Sequence, residues 1–366
     1  MLHMKACPRS QLPKEIGDRK IICFGAGRSF KTFLDYNKDI SQKIIGVIDN
    51  NSERNGSLAY GYPVYSLGAF LKREEDNIVI CITSSLYYGS ILAQLDEIES
   101  FDGVDCYLDI WNRNKLEKQD FIFRTGEQKI PKKIHYCWFG GKAIPAHLQQ
   151  CIDSWKKYCP DYEIIRWDES NYDIHKNRYM LQAYQAEKYG FVPDYARLDI
   201  VRQHGGIYLD TDVELVRNLD PLLCYDFYCG FEDEHYIALG LGFGAVAGHP
   251  LLGKMLAVYQ ELDFIRDGKI NDVASPYYQS KVMEEEGYQL NGRYQDLDGV
   301  GIFPHDVLAP GGSLLLPDER TKNTFSIHHY DASWMAKCNE VQKRHKDLRQ
   351  LYMERVQDEK NGVHGS

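Results

Sequence analysis

Short apolar runs alternate with stretches of helical periodicity from the N-terminus onward. Lys20–Phe24, Ile44–Asp49, Asn77–Thr83 and Val104–Leu108 read as strands of the continuous apolar kind that a sheet covered on both faces requires. Between them, the stretch from Gly25-Ala26-Gly27 to Tyr36, then Leu67–Lys72 and Ser90–Ile98, predict helices. Strands alternating with helices imply a small parallel sheet. From Asn112 to Lys129 the chain is charged and poor in apolar positions, with Pro131 just beyond, so a linker is expected there.

The same alternation resumes after the linker. Ile134–Gly141 is a β-rich run closing on two glycines, and such a strand delivers its carboxyl end to a loop, where ligands bind in open α/β sheets. Residues 147–158 carry Leu148, Cys151, Ile152 and Trp155 at amphipathic helical spacing. Tyr162–Trp167 follows as a strand and 178–189 as a helix. Pro193 suits the first turn of the next helix, because its missing N–H would have no partner there. Tyr195, Leu198 and Val201 form that helix's apolar stripe, and Gly205-Gly206 stops it.

The run Ile207-Tyr208-Leu209 then delivers Asp210 and Asp212. Carboxylates two apart on an extended backbone point the same way, and they repel unless a cation lies between them. Mg²⁺ and Mn²⁺ take oxygen ligands and often bind through carboxylates and substrate phosphates together. The segment thus reads as a metal–diphosphate platform. Asp-x-Asp alone is weak: Asp296-Leu297-Asp298 repeats it in a Gly-flanked stretch that reads as an ordinary turn. The preceding helix adds weight, since Asp194 and Arg197 share one face near its N-terminus.

Composition narrows the function. A length of 366 residues predicts two domains, and 43% hydrophobic with 26% charged residues is ordinary globular chemistry. The net charge of −10 argues against nucleic-acid binding, and it requires local Arg, Lys or metal to hold an anionic substrate. Ten Cys without a Cys-x-x-Cys pair read as buried free thiols of a reducing compartment. Met1–Ser10 lacks a secretory apolar core, and no run approaches the roughly 20 apolar residues of a membrane span. The expectation is a cytoplasmic protein, at most peripheral to a membrane.

Four pieces now carry a resemblance: Ile-His-Tyr-Cys-Trp-Phe-Gly-Gly (134–141), Pro-Asp-Tyr-Ala-Arg (193–197), Gly-Gly-Ile-Tyr-Leu-Asp-Thr-Asp (205–212) and Ile-His-His-Tyr-Asp-Ala-Ser-Trp (327–334). In this order they resemble glycosyltransferase family 32, whose sugar-binding region contains an Asp-x-Asp motif and whose core is similar to the glucosylating clostridial toxins. The resemblance spans Pro131 to about Trp334. It implies a GT-A-type α/β domain that transfers a hexose from a nucleotide-sugar to a carbohydrate acceptor with retained configuration. The implied donor is a UDP-hexose, with GDP-mannose second, and the implied setting is surface or capsular polysaccharide synthesis on a saccharide acceptor that can be lipid-linked.

The resemblance also assigns residues. Trp138 would stack on the donor base, Asp194 and Arg197 would contact the donor sugar and its ribose–diphosphate, and Tyr208 would pack beside the nucleotide. Asp210 would touch sugar or ribose, directly or through Mn²⁺ or Mg²⁺, and Asp212 would ligate the metal. Of the paired histidines His329 is expected to be the ligand, with His328 facing away, while His135 is structural. Ser333 and Trp334 would touch the diphosphate. The chain departs from many relatives in carrying Ala274-Ser275-Pro276 where they have Thr-Gly-Pro. No dedicated nucleophile stands out, so same-face displacement competes with a covalent intermediate.

The first 125 residues lie outside this resemblance, and they loosely resemble Rossmann-like modules attached to sugar-modifying enzymes. Gly25 and Gly27 are present, but Phe30 occupies the position of the third glycine of a dinucleotide fingerprint, and Asp49 falls where a ribose-binding acid would lie. A nicotinamide-dependent sugar oxidoreductase is therefore one rival reading, and a nucleotide-sugar-binding protein without turnover is another. The expected organisation is a Rossmann-like domain over 1–125, the transferase domain over 130–345 and a tail over 346–366.

Overall fold

The structure, a computed structural model, describes residues 1–271, 273–331 and 338–357. It divides into two compact units, residues 1–117 with 345–366 and residues 118–344.

The first unit opens with β1 (His3–Lys5), α1 (Leu12–Ile16), β2 (Lys20–Phe24), α2 (Arg28–Tyr36) and β3 (Ile44–Ile48). A short hairpin follows, β4 (Leu58–Ala59) and β5 (Tyr62–Tyr65), then α3 (Leu67–Leu71), β6 (Ile78–Ile82), α4 (Tyr88–Asp96), β7 (Asp105–Leu108) and α5 (Asp109–Arg113). The sheet order is β1-β7-β6-β2-β3-β5-β4, parallel except for β4. The four anticipated strands form its centre. β1 and the β4–β5 hairpin extend it, being too short to give a periodic signal.

Phe30 is fully buried in this unit's core. Asp49 turns back on the glycine loop, accepting the Ala26 N–H at 2.8 Å and the Asn51 N–H at 2.9 Å. The expected tail is corrected over its first part. Residues 345–352 continue the helix α12, and Trp111 packs edge-on against Tyr352 at 5.5 Å while its indole N–H donates to the Leu348 carbonyl. An exposed amphipathic helix would be costly to leave unpaired, and Trp111 supplies the apolar contact it needs.

The second unit contains β8 (Lys133–Cys137), α6 (Ala146–Tyr158), β9 (Glu163–Trp167), α7 (Arg178–Gln185), α8 (Pro193–His204), β10 (Gly206–Tyr208), β11 (Val213–Leu215), β12 (Phe227–Gly230) and β13 (Phe243–Ala245). After these come α9 (Pro250–Gln260), the hairpin β14 (Ile265–Arg266) and β15 (Lys269–Ile270), α10 (Ser275–Glu285), β16 (Gln295–Leu297), β17 (Val300–Phe303), α11 (His305–Leu308), β18 (Ser326–His328) and the start of α12 (Cys338–Tyr352).

Its sheet order is β16-β17-β12-β13-β10-β8-β9. β9, β8, β10, β12 and β17 run parallel, and β13 and β16 oppose them. The α/β reading holds, and the carboxyl ends of five strands share one edge. The second Asp-x-Asp is not simply a turn: Asp296 lies on the edge strand β16 and pairs with Arg124, while Asp298 takes a left-handed φ of 49° in the connection to β17.

A buried α8 departs from the stripe expected of it. Asp194 through Val201 are all buried, so polar as well as apolar faces are enclosed. A helix enclosed all round can carry charge only where the charges are paired.

Candidate active site

Arg197 is the charged centre of that enclosure. Its Nη2 donates to Asp194 Oδ1 at 2.6 Å, its Nε to the Pro193 carbonyl at 3.0 Å and its Nη1 to Asp210 Oδ2 at 3.5 Å. The guanidinium lies over the Tyr208 ring at 5.3 Å, and the Tyr208 hydroxyl donates to Asp210 Oδ1 at 2.9 Å. Burial pushes the Asp194 carboxyl up to about 6, against the pull of Arg197. Burial likewise raises Asp210 in spite of Arg197. Burial works against the Arg197 charge as well, but Asp210 and Asp194 outweigh it, so the guanidinium is held more firmly charged than usual.

Asp212 reaches this group by a turn. The Val213 N–H donates to the Asp210 carbonyl at 3.0 Å, so Asp210 and Asp212 converge through a tight turn and not through strand alternation. β11 then pairs antiparallel with β18, placing Val213 opposite His328. His328 Nε2 stands 3.3 Å from Asp212 Oδ1, and the Asp331 N–H donates to Asp212 Oδ2 at 2.9 Å. Burial would raise the Asp212 carboxyl, but His328 and that N–H hold it well below the usual carboxylate range. Burial would lower His328, and Asp212 reverses this and raises it.

The choice between the two histidines is therefore corrected. His329 turns to Glu214, with Nε2 2.9 Å from the carboxylate, and only its backbone N–H meets Asp212, at the carbonyl oxygen. The two histidines do face opposite ways, as neighbours on a strand should, but the register taken from the resemblance is off by one residue, because β18 sets His328 opposite Val213, next to Asp212. Asp210, Asp212 and His328 each offer a ligand atom, all within 4.8 Å of one another, and no other such group stands among the described residues. Two carboxylates and an imidazole are a donor set that could hold a divalent cation.

Trp138 lies at the carboxyl end of β8, beside this group's edge but outside it, and its indole N–H donates to the Lys142 carbonyl at 2.6 Å. The turn after it needs Gly140: φ is 89°, and a Cβ there would stand 2.7 Å from the Tyr189 ring. His135 is structural. The Trp167 indole donates to its Nδ1 at 3.1 Å, so its Nε2 carries the proton given to the Gly205 carbonyl at 2.8 Å, and burial pushes its pKa down to about 4. Ser333 and Trp334 lie outside the described residues.

Sequence reasoning missed the wall opposite Arg197. The turn Leu239–Leu241 brings Gly240 so close that a Cβ would stand 2.5 Å from Asp210 Oδ2 and 2.9 Å from Arg197 Nη1. Helix α10 fixes that turn: Gln279 Oε1 accepts the Leu239 N–H at 2.9 Å and Ser280 Oγ the Ile237 N–H at 2.8 Å. Ser275, at the start of the same helix and in the divergent Ala-Ser-Pro stretch, helps keep Asp194 charged. The spacing of Gly240 and Gly242 was the available signal, but only contact shows which glycine is required. The nine described cysteines are all buried and unbridged.

Residues 145–228 match the family described as glycosyltransferase sugar-binding region containing DXD motif, and residues 17–102 match the C2185-like N-terminal family. Inositol phosphoceramide mannosyltransferase 3 of Schizosaccharomyces pombe is 34% identical over 141 residues, 36% of this chain and 37% of that protein. Mannosyl phosphorylinositol ceramide synthase SUR1 of Saccharomyces cerevisiae is 32% identical over 144 residues, 37% of this chain and 36% of that protein. The match thus spans little more than a third of the length of these curated relatives. Among solved structures, the PaToxG glycosyltransferase superposes with a TM-score of 0.36 at 20% identity, over 44% of this chain and 70% of that one, too loosely to carry weight. Asp210-Thr211-Asp212 is an Asp-x-Asp sequence inside the stretch that matches the glycosyltransferase sugar-binding region containing DXD motif.

Proposed function

We propose that the second unit is a GT-A-type, metal-dependent glycosyltransferase that moves a hexose from a nucleotide-sugar to a carbohydrate acceptor. The observation that carries this reading is the convergence of Asp210, Asp212 and His328 beside a buried, permanently charged Arg197. Asp212 and His328, with Asp210, would hold Mn²⁺ or Mg²⁺. When bound, that ion supplies charge neutralisation for the departing nucleoside diphosphate. Arg197, fixed by Asp194 and Asp210, presents a preorganised cation in a water-poor site, where it acts on developing negative charge more strongly than in bulk water. Tyr208 orients Asp210 through its hydroxyl.

A UDP-hexose donor and retained configuration follow from the family resemblance. GDP-mannose is the second reading, favoured by the mannosyl transfer for which both relatives are named. Their names also place the sugar on an inositol phosphoceramide, which supports a lipid-linked saccharide as acceptor here. No described helix is long and apolar enough to cross a membrane, which fits action at a membrane surface from the cytoplasmic side, in surface polysaccharide synthesis. The nicotinamide reading loses support, because Phe30 fills the core and Asp49 occupies the loop N–H that a ligand would use.

The test is a thermal-shift screen of UDP- and GDP-hexoses with and without Mn²⁺, followed by assay of nucleoside diphosphate release. A ligand bound only by the native state raises the melting temperature by mass action. Stabilisation that requires both nucleotide-sugar and Mn²⁺ is expected; absence of any such stabilisation and of turnover overturns the reading.

A further inference from the structure

One acid near the metal-ligand group is unused by this account. Glu232 lies two residues beyond the carboxyl end of β12, whose strand runs parallel to β10. Ile207 of β10 and Tyr228 of β12 both face Gly244 of the intervening β13, so the two strands are level. Asp210 and Glu232 therefore leave the sheet at the same edge and similar height, two strand spacings or roughly 10 Å apart.

Around Glu232 three polar groups lack partners among the described residues. Among the described residues the Glu232 carboxylate has no hydrogen bond or ion pair, and the bond made by this residue is between its backbone N–H and the Tyr236 carbonyl, closing the hairpin that ends in the Phe231–Ile237 bridge. The Tyr330 hydroxyl and His328 Nδ1 are buried and unbonded. Glu232 is close enough to both residues for its charge to act on them. Tyr330 packs edge-on against His328 with ring centroids 4.2 Å apart, and it does so at a φ of 51°, a left-handed conformation that costs a residue with a side chain. Strain and polar atoms left unsatisfied by the described residues occur together at functional sites more often than elsewhere.

We propose that Glu232 is a further substrate-binding residue, exchanging a hydrogen bond with a hydroxyl of a saccharide held at the Asp210–Asp212–His328 edge. The proposal rests on the transferase reading of this site. A half-buried carboxyl without a cation is suited to sugar hydroxyls, which both donate and accept and need no countercharge. Burial pushes Glu232 up to about 7, and the adjacent Asp233 adds to this while His328 opposes it. The hydroxyl can belong to the acceptor or to the sugar of the donor, and the chemistry is the same.

The experiment is calorimetry on the full chain with Mn²⁺, comparing wild type with Glu232→Gln and Glu232→Asp. The probes are UDP and GDP, UDP-glucose and GDP-mannose, and methyl α-glycosides of glucose, galactose and mannose added to the nucleotide-loaded protein. Both variants should bind the nucleoside diphosphate as wild type does. The loss of that hydrogen bond should weaken saccharide binding in Glu232→Gln by about tenfold, with Glu232→Asp between. A loss confined to the methyl glycosides assigns the acceptor, and one confined to the nucleotide-sugars assigns the donor sugar. Unchanged affinity for every saccharide, no glycoside or sugar-dependent binding in wild type, or weakened binding of the bare diphosphate in the variants overturns the proposal. If wild type binds no nucleotide with Mn²⁺, the transferase reading itself falls.

Discussion

Arg197 Nη1 and Asp210 Oδ2 stand 3.5 Å apart, joining a helix to the end of the strand that follows it. The closeness of this pair leaves no room opposite for anything larger than glycine at position 240. Arg197 is thereby shared between two carboxylates, one on its own helix and one in the metal-ligand group.

Gly240→Ala is expected to abolish Mn²⁺-dependent nucleotide binding while the protein still folds. The new methyl would stand 2.5 Å from Asp210 Oδ2, and the carboxylate must move away from both Arg197 and the site. Overpacking of this kind costs about 1–3 kcal/mol, which a domain of this size withstands. Circular dichroism with calorimetric titration of UDP and Mn²⁺ checks it, and unaltered affinity would contradict the placement of Asp210.

His328→Ala should raise the Mn²⁺ needed for half-maximal nucleotide binding at least tenfold, and His329→Ala should leave it nearly unchanged. The exposed His329–Glu214 pair is worth little. Asp212→Asn should behave like His328→Ala, since a neutral amide keeps the shape and loses the charge. Titration of UDP binding against Mn²⁺ distinguishes the three.

The pH dependence of Mn²⁺ affinity follows from the same pair. Asp212 favours the protonated imidazole and raises its pKa, so protons compete with the metal at a pH above that of an ordinary histidine. Affinity should fall as pH drops through this raised value, and His328→Ala should flatten the fall. Asp212, held low, stays ionised across that range and contributes no slope there. A slope that survives in His328→Ala would show that another group titrates.

Arg197→Met should destabilise the second unit by about 3–5 kcal/mol near pH 8, because it strands the buried Asp194 carboxyl and the partly buried Asp210. The sign can be checked with pH. Asp194 already has a raised folded pKa of about 6, against about 4 unfolded, so its ionisation costs stability increasingly as pH rises through that window. Without Arg197 the folded value goes higher still, and the variant should regain stability as pH falls towards 5. Denaturant unfolding at the two pH values measures this, and an equal loss at both would contradict it.

In the first unit, NADH is expected not to bind the full chain. Phe30 fills the position where a glycine would admit the cofactor, and the Asp49 carboxylate is held by the Ala26 N–H. Equilibrium dialysis is the measurement, and micromolar affinity would revive the oxidoreductase reading.

Local pattern determined much of this protein by itself. The apolar runs Ile21–Phe24, Ile78–Ile82 and Ile134–Cys137 were legible as buried strands from their length and β-branched content, and Pro193 and Gly205 bracketed α8, because these signals depend on neighbours a few residues away. The paired acids and the nearby Asp194–Arg197 pair were legible for the same reason. Tertiary structure decided what depends on packing. Whether His328 or His329 faces Asp212 is set by the turn that carries Asp212 out of strand register and by the pairing of Val213 with His328. The need for glycine at 240, the Gln279 and Ser280 bonds that hold its turn, and the placing of Glu232 at the end of β12 arise where distant segments meet at one sheet edge. Spacing along a chain fixes the direction of a side chain only within a regular element, whereas the neighbours of a turn are chosen by the whole fold.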